Sequence, residues 1–501
     1  MKHIVKTSPY SELGGVETLS QFAQSPKIEK ILTPTLRQFF TNKLLRKEEL
    51  SLEEQSFQLL WNNGYFKTLP AITKNKTTYI CQRCNNSKNH LFGWIPCQRC
   101  HTTHLYCRNC IMMGRILQCD YLFEWAKNPY EWPEINESLR WDSTLSDAQQ
   151  YAAREIVSAV ENNEQRLIWA VTGAGKTEML FLGLERAFAQ GKRVCLASPR
   201  IDVVKELIPR FKRVFPNVAI EALHSDETNK SGMAQFIIST THQLLRFKEA
   251  FDVVIIDEID AFPYYLDPHL QFATKRAKKQ HAAMIYLTAT PRKNFLRTLK
   301  KEKVPIIFVP VRYHLQPLPI PTMLYVHRLT EKIKSNQSIK QVEQWLQRRE
   351  KQERQMLIFM PSIQQLIDYK AIICQSLLKL HIIQYDDQLD TVYANDDMRE
   401  KKIEKFRNKE LKVLMTTTIL ERGVTFPSVD VIVLGASNHI FDVAALVQIA
   451  GRAGRSEDDP QGLVLYVHDG LTNAMLEAKN MIQMMNHKRK KMLKNNVVKK
   501  I

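Results

Sequence analysis

Residues 166–180 read RLIWAVTGAGKTEML, the most informative stretch of the sequence. An apolar run ends at Ala170, where the common pattern has a first glycine, and a glycine-rich turn then leads into a helix. Glycines let successive N–H groups point at phosphate oxygens, and a helix start favours the same negative charge. Lys176 can reach the β- and γ-phosphates, and the Thr177 hydroxyl can bind Mg²⁺. The stretch predicts a nucleotide site formed by Thr172, Gly173, Ala174, Gly175, Lys176 and Thr177.

Short apolar runs recur on the C-terminal side of this stretch, each bounded by polar or helix-like segments. Buried parallel strands have this texture, because helices cover both faces of their sheet. One series comprises Arg166–Ala170, Val194–Ala197, Ile237–Thr240, Val253–Asp257 and Met284–Thr290. A second comprises Met356–Met360, Lys412–Thr416, Val429–Gly435 and Leu463–Val467. We therefore predict an α/β fold with two tandem doubly wound parallel-sheet lobes.

Changes in composition mark the predicted domain boundaries. The proline-rich run PVRYHLQPLPIPT separates the two strand series. The predicted segments are a helical or mixed N-terminal region (1–75), a cysteine-rich module (76–120), a connector (121–143), a first lobe (144–310), a proline-rich hinge (311–330), a second lobe (331–480) and a basic tail (481–501).

Two charged motifs complement the glycine-rich loop. The apolar run before Asp257 delivers two adjacent carboxylates to the edge of a sheet where ligands bind. Asp257 is expected to hold Mg²⁺, and Glu258 to orient and deprotonate an attacking water. Near the second lobe's end, Arg452 and Arg455 lie in QIAGRAGR. Their guanidinium groups match phosphate oxygens, so we expect them to stabilise charge at the γ-phosphate.

Six of the nine cysteines form three CxxC pairs within residues 81–110, with the spacing CxxC–x12–CxxC–x6–CxxC. In a reducing compartment such pairs predict metal ligands rather than disulfides. Tetrahedral zinc needs four thiolates, and three pairs offer six. The outer pairs have a spacing common in zinc ribbons. The middle pair, Cys97 and Cys100, has His101 and His104 nearby; it either replaces one outer pair or holds a second ion.

The charge balance narrows the class of partner. The formal net charge is +19 and the pI is about 9.4, which favours a polyanion such as nucleic acid or the anionic inner membrane face. The basic tail, residues 481–501, is expected either to bind DNA or the anionic membrane surface, or to be a solvated helix end. No apolar run is long enough to span a membrane, and no secretory signal is evident, so we expect a cytoplasmic protein.

The motifs occur in the order that is typical of helicase superfamily 2. LSDAQ resembles the adenine-reading motif with Gln149 as reader, LTAT resembles motif III, and TTTILERGV, with Gly423, resembles motif V. This resemblance implies RecA-like lobes, ATP and Mg²⁺.

The chain further resembles the ComFA family of competence ATPases. The resemblance rests on CQRC and YCRNC, then AVTGAGKTEM, CLASPRIDV, TTHQLLRF, DEIDAFPY, TTTILERGVTFPSVDV, QIAGRAGRS, VHDG and MIQMMN. It implies a zinc ion held by Cys81, Cys84, Cys107 and Cys110.

The same resemblance implies how a nucleic-acid strand would be held. Short hydroxyl side chains and free N–H groups at strand ends suit phosphate contact without reading bases. The implied contact residues are Pro199, Arg200, Thr240, Thr241 and His242 in the first lobe, and Ser362, Thr416 and Thr417 in the second.

The predicted function is an ATP-driven single-stranded DNA translocase that powers DNA uptake during natural competence. The family also implies a ComFC-type partner, an uptake channel, peripheral contact with the membrane and possible oligomers. Two alternatives stay open: a duplex-unwinding restart or repair helicase, and a zinc-dependent DNA-binding scaffold with a regulatory ATP site. RNA is a further possible track.

Overall fold

The computed structural model describes residues 31–227, 231–424 and 426–498. These residues form two compact units that interleave along the chain. The first takes in the described residues up to 142 with 156–165 and 181–286, and the second comprises 143–155, 166–180 and the described residues from 287. None of the helices in the described ranges has the length and apolarity needed to cross a membrane.

The N-terminal region is built on a three-stranded antiparallel sheet of order β1-β8-β2. Aromatic side chains fill the core between this sheet and two helices; Phe40 stacks on Trp125 with ring centroids 5.6 Å apart. The central strand lies at the start of the segment predicted as a connector. The elements are α1 (Pro34–Phe40), β1 (Leu44–Arg46), α2 (Glu54–Asn62), β2 (Phe66–Pro70) and β8 (Tyr121–Trp125).

The cysteine-rich module lies between β2 and β8. It contains a hairpin of β3 with β4 and a three-stranded antiparallel sheet of order β5-β6-β7. The strands are β3 (Ile72–Asn75), β4 (Thr78–Cys81), β5 (Phe92–Pro96), β6 (Thr103–Cys107) and β7 (Ile116–Leu117).

The first predicted lobe contains a seven-stranded sheet of order β11-β12-β10-β13-β14-β9-β15. All five strands predicted here are present, and periodicity missed only the edge strands β11 and β15, which are short. The strands are β9 (Gln165–Ala170), β10 (Val194–Ser198), β11 (Ile220–Leu223), β12 (Phe236–Thr240), β13 (Phe251–Asp257), β14 (Lys278–Thr288) and β15 (Ile306–Val309). The helices are α3 (Asp147–Asn162), α4 (Phe181–Ala189), α5 (Ile201–Val214), α6 (Pro268–Ala277) and α7 (Lys293–Lys301).

The second sheet has six strands, all paired in parallel, in the order β16-β21-β20-β17-β19-β18. Its central strands are buried on both faces, as their continuous apolar runs predict. The strands are β16 (Thr322–Tyr325), β17 (Gln355–Phe359), β18 (Leu389–Val392), β19 (Val413–Thr416), β20 (Val429–Leu434) and β21 (Val464–His468). The helices are α8 (Leu329–Lys334), α9 (Lys340–Gln347), α10 (Ile363–Lys379), α11 (Arg399–Arg407), α12 (Val443–Ala450) and α13 (Asn473–Val498). The predicted fold of two parallel-sheet lobes is confirmed.

Residues 481–498 of the predicted basic tail form the C-terminal part of a longer helix. Helix α13 runs through it to Val498, and residues 499–501 lie outside the described residues. Asn486 on this helix bonds both backbone groups of Leu318, at 2.9 Å each. The tail helix is thereby tied to the proline-rich segment.

Candidate nucleotide site and metal centre

The glycine-rich loop follows β9 directly, as the sequence predicts. Gly173 and Gly175 adopt φ angles of +78° and +72°, a left-handed conformation that costs glycine little. A short 3₁₀ turn, Glu178–Leu180, separates the loop from α4. The Val171 N–H donates to the Val309 carbonyl at 3.1 Å, which fixes the base of the loop on the sheet. The backbone therefore has the shape that a phosphate-binding loop requires.

Gln149 braces the same loop from α3. Its side-chain amide donates to the Ala174 carbonyl at 3.0 Å, and its oxygen accepts from the Ser146 N–H at 2.9 Å. At Gly175 a Cβ would lie 2.3 Å from the Gln149 amide nitrogen and the φ is +72°, so a side chain there would displace the Gln149 amide and strain the backbone. Gln149 thus positions the loop; its role as adenine reader stays a prediction.

The arginine segment of the second lobe, residues 448–455, lies against the glycine-rich loop, and both belong to the second compact unit. A Cβ built at Gly451 would lie 2.0 Å from the Thr172 Oγ1, a distance that real Cβ atoms do not show. The segment after β15 lines both elements: the Tyr313 N–H donates to the Gly173 carbonyl at 3.1 Å, and the Tyr313 hydroxyl donates to the Arg455 carbonyl at 3.0 Å. The loop and the arginine segment thus share one packed surface.

Arg312 is the main link between these elements. Its guanidinium is 1% exposed and donates to the carbonyls of Gly451 (3.2 Å), Ala453 (2.9 Å) and Gly454. Burial, and then the charge of Arg455, lower the pKa of Arg312 to about 9. Three carbonyl acceptors compensate part of the desolvation of this charge.

The two predicted catalytic arginines differ in their surroundings. Arg452 is 2% exposed, and its Nε donates to the Glu421 carbonyl at 3.0 Å. Arg455 donates from Nε to the Gly451 carbonyl at 3.0 Å. Gly423, two residues beyond Glu421, has a φ of +72°. Backbone contacts therefore orient both guanidinium groups.

Asp257 ends β13 and Glu258 follows it. The Asp257 carboxylate accepts from the Glu258 N–H at 2.9 Å. Glu258 is 8% exposed and has a φ of +55°, which is rare for a residue with a Cβ. Such strain concentrates at functional sites.

The residues of the first lobe that are predicted to contact nucleic acid lie at one end of two paired strands. β10 and β12 are parallel, with Ser198 opposite Thr240, so Pro199 and Thr241 leave the sheet at the same edge. Arg200 forms a bidentate ion pair with Asp202, with its Nη2 2.7 Å from the Asp202 Oδ2. His242 follows at this edge, and burial lowers its pKa.

In the second lobe the track residues also share an edge. β17 pairs in parallel with β19, with Phe359 opposite Thr416. The Ser362 hydroxyl accepts from the Gln365 N–H and caps α10, while the buried Thr416 hydroxyl donates to the Thr417 carbonyl. Both hydroxyls already serve the local backbone.

The four outer cysteines converge, and all are fully buried. Their sulfur atoms lie within 4.8 Å of one another, with Cys81 and Cys110 3.8 Å apart and Cys84 and Cys107 3.6 Å apart. Hydrogen bonds from the other three thiols, Cys107 first, lower the pKa of Cys84. Four buried sulfurs in this arrangement fit a closed tetrahedral metal site.

This cluster is anchored to the helix α6 by buried polar contacts. Arg276 donates to the carbonyls of Gln82 (3.2 Å) and Arg83 (2.5 Å), and the Nδ1 of His269 lies 3.0 Å from the Cys84 carbonyl oxygen. Arg83, with no exposed surface, pairs with Glu49 at 3.2 Å.

Several of these residues escape sequence reasoning. Arg312, Tyr313, His269 and Arg276 stand alone in runs that carry no periodic or spaced pattern. The only signal is that each is a polar residue beside an apolar stretch, which many surface residues share.

Family models match three parts of the chain. Residues 27–124 match the competence protein ComFA N-terminal domain, residues 142–293 the type III restriction enzyme res subunit, and residues 336–457 the helicase conserved C-terminal domain. The two helicase matches confirm the prediction of a helicase-like ATPase, and such domains use ATP and usually Mg²⁺.

Two curated relatives resemble the chain over nearly its whole length. The competence protein ComFA of Bacillus subtilis is 40% identical over 90% of this chain and 95% of its own. The competence protein ComFA of Streptococcus pneumoniae is 34% identical over 91% of this chain and 99% of its own.

One solved structure supports the fold alone. S. cerevisiae Dbp5 bound to RNA and ADP BeF3 aligns with a TM-score of 0.50 and 16% identity, over 68% of this chain and 88% of that one. The two near-full-length relatives and the matching N-terminal family model show that the chain belongs to the ComFA family of competence proteins, as a competence-related, helicase-like ATPase.

Proposed function

We propose that the chain is an ATP-driven translocase on single-stranded DNA that powers DNA uptake in natural competence. The observation that carries the proposal is the packing of Gly451 on Thr172, with Arg312 bonded to the arginine segment. A nucleotide on the loop would have these arginines beside its phosphates. Binding and hydrolysis would then change the arginine segment, which belongs to the second lobe.

The nucleotide chemistry is assigned to the predicted residues. Lys176 binds the β- and γ-phosphates, with Thr177 and Asp257 as the Mg²⁺ ligands. Glu258 orients and deprotonates the attacking water, and its strained, buried backbone suits a fixed general base. Arg452 and Arg455 stabilise charge that develops on the γ-phosphate. The remaining nucleotide contacts come from Gln149, Thr172, Gly173, Ala174, Gly175 and Gly423.

The DNA contacts are assigned to the two strand-end edges. Thr240, Thr241 and Thr416 are at most 9% exposed, so a phosphate would reach them only at the strand-end edges. Arg200 is paired with Asp202, so a phosphate would compete with that carboxylate for the guanidinium. Such contacts do not read bases, and affinity should fall with salt. The other contact residues are Pro199, His242, Ser362 and Thr417.

The four-cysteine cluster is assigned a structural zinc ion held by Cys81, Cys84, Cys107 and Cys110. The ligand set leaves no position for a substrate, which separates it from catalytic zinc sites. When bound, the ion supplies the cross-link that orders a module with little apolar core of its own. The contacts to α6 would pass that order to the first lobe.

The biological setting extends the family assignment. The net charge of +19 suits a protein that works on DNA beside an anionic membrane face. A ComFC-type partner, an uptake channel, peripheral attachment at the cytoplasmic membrane face and possible oligomers complete the proposal. The seven predicted segments are its proposed domains.

The test is the steady-state ATPase rate with and without single-stranded DNA, duplex DNA and RNA. We expect single-stranded DNA to stimulate the wild type strongly, and Glu258→Gln and Lys176→Ala to lower the rate by about 100-fold or more. Glu302→Gln, at an exposed position, is the matched control. Equal rates in wild type and Glu258→Gln would refute the assignment.

Two further outcomes would favour the alternatives. Robust strand displacement on a forked duplex would indicate a restart or repair helicase. Slow hydrolysis that no nucleic acid changes would indicate a DNA-binding scaffold with a regulatory ATP site. Stimulation by RNA alone would indicate that the protein moves on RNA rather than on DNA.

A further inference from the structure

A second group of sulfur atoms lies outside the four-cysteine cluster. The sulfurs of Cys97, Cys100 and Cys119 all lie within 4.8 Å of one another, and Cys97 and Cys119 are 3.8 Å apart. Four ligands at the usual Zn–S distance stand about 3.8 Å apart in a tetrahedron. A disulfide needs about 2.05 Å, and all three thiols are free. The spacing is that of metal ligands.

The turn at Cys97 repeats the turn at Cys81. In the first cluster the Asn85 N–H donates to the Cys81 carbonyl at 2.8 Å, and the Cys81 N–H donates to the Asn86 carbonyl at 3.0 Å. Asn85 has a φ of +59°.

At the second CxxC pair the same pattern recurs. The His101 N–H donates to the Cys97 carbonyl and the Cys97 N–H donates to the Thr102 carbonyl, both at 2.9 Å. His101 has a φ of +53°, in the same left-handed region as Asn85. A CxxC turn held in this way presents both sulfurs to one ion.

We propose that Cys97, Cys100 and Cys119 form a second metal site that binds a thiophilic divalent ion of the zinc class. Among the described residues, the group contains only these three ligands, so a water or another small donor completes the coordination. Cys100 and Cys119 are partly exposed, which leaves the fourth position open to solvent. Three soft thiolates select zinc-like ions over the hard cations Mg²⁺ and Ca²⁺.

The ion would join two parts of the N-terminal region. Cys97 and Cys100 lie in the turn between β5 and β6, whereas Cys119 immediately precedes Asp120 and β8, the central strand of the other sheet. Arg99 spans the same gap by pairing with Asp120 and, at 3.7 Å, with Glu48. The site therefore links the cysteine-rich module to the sheet of β1, β8 and β2, independently of the first cluster.

The test is the metal content per chain, measured by elemental mass spectrometry on full-length protein purified under reducing conditions without chelator. We expect two zinc ions in the wild type, one in Cys119→Ser and one in Cys81→Ser. Cys374→Ser, a partly exposed cysteine outside both groups, should keep two. One ion in the wild type would overturn the proposal without depending on any variant. Loss of the second ion in His104→Ala would overturn the three-thiolate assignment.

A spectroscopic measurement gives an independent count. In protein produced with cobalt, the thiolate-to-cobalt charge-transfer intensity should reflect seven sulfurs in the wild type and four in Cys119→Ser. Equal intensities in the two proteins would contradict a second site. Limited proteolysis should also cut Cys119→Ser faster between residues 97 and 119 than Cys374→Ser.

Discussion

The Nδ1 atom of His269 lies 3.0 Å from the carbonyl oxygen of Cys84. This bond joins the Cys81–Cys84 turn of the four-cysteine cluster to α6. That helix begins ten residues after Glu258. His269 is 8% exposed, so the carbonyl has little access to water as a substitute donor. The cysteine-rich module and α6 therefore form one packed structure around this contact.

Replacing His269 tests how much that contact stabilises the lobe. We expect His269→Ala to lower the free energy of unfolding by about 1–3 kcal/mol, because the buried Cys84 carbonyl loses its donor. Urea denaturation followed by fluorescence measures the change. His90→Ala, at an exposed position of the same module, should alter stability by less than about 0.5 kcal/mol. Similar effects of the two substitutions would show that the contact is dispensable.

Gly451→Ala should impair ATP hydrolysis through a steric clash. The new Cβ would lie 2.0 Å from the Thr172 Oγ1, which forces the arginine segment away from the loop. Misplacement of about 1 Å can cost about 100-fold in rate. The measurement is kcat for ATP, and Gly470→Ala, where nothing lies within 4 Å of the new Cβ, is the control. Unchanged kcat in Gly451→Ala would show that the two elements separate during turnover.

Arg312→Gln should lower kcat more than it raises KM. The residue bonds the backbone of the arginine segment and is expected to position Arg455 rather than to hold substrate. A loss of about 10- to 100-fold in kcat follows from that misplacement. Arg297→Gln, at an exposed position, controls for the lost charge. A rise in KM alone would instead assign Arg312 to nucleotide binding.

Acid should destabilise the second lobe through Asp459. Arg354, first among its partners, holds the pKa of this carboxyl well below its usual range, with contacts of 2.7 and 2.6 Å. A lowered folded-state pKa gives stability that is present above the unfolded pKa of about 3.9 and is lost as the pH falls further.

Asp459→Asn tests this ion pair. We expect a loss of about 1–3 kcal/mol at pH 7 that shrinks below about pH 4, because the wild-type carboxyl is then increasingly protonated. Asp458→Asn, at the exposed neighbouring position, should have little effect at either pH. A loss that stays constant with pH would indicate packing rather than charge. Urea midpoints across the pH range give the answer.

Local patterns explain what was predictable. Continuous apolar runs predict the buried strands. Glycines next to Lys176, which adopt positive φ angles, predict the phosphate loop. The two outer CxxC pairs and the order of the motifs are likewise visible in the sequence. Each of these features is a pattern of composition, spacing or order along the chain, so the sequence shows it without knowledge of the fold.

The missed strands show where this reasoning weakens. β11, β15, β16 and β18 have four residues each and lie at or next to sheet edges. Edge strands bury only part of their surface, and polar residues dilute the apolar pattern of β11, β16 and β18. β15 is wholly apolar but has only four residues. Their pairing depends on the strand beside them, which periodicity does not report.

Patterns along the sequence are sufficient to predict the two parallel-sheet lobes, the glycine-rich loop and a cysteine-rich module. Only the tertiary structure decided that Cys119 joins Cys97 and Cys100, that Arg312 bonds the arginine segment, and that His269 bonds the Cys84 turn. The physical reason is that these contacts join residues far apart in the chain. A single cysteine, arginine or histidine carries no period or spacing, and its partner is set by how the surrounding elements pack.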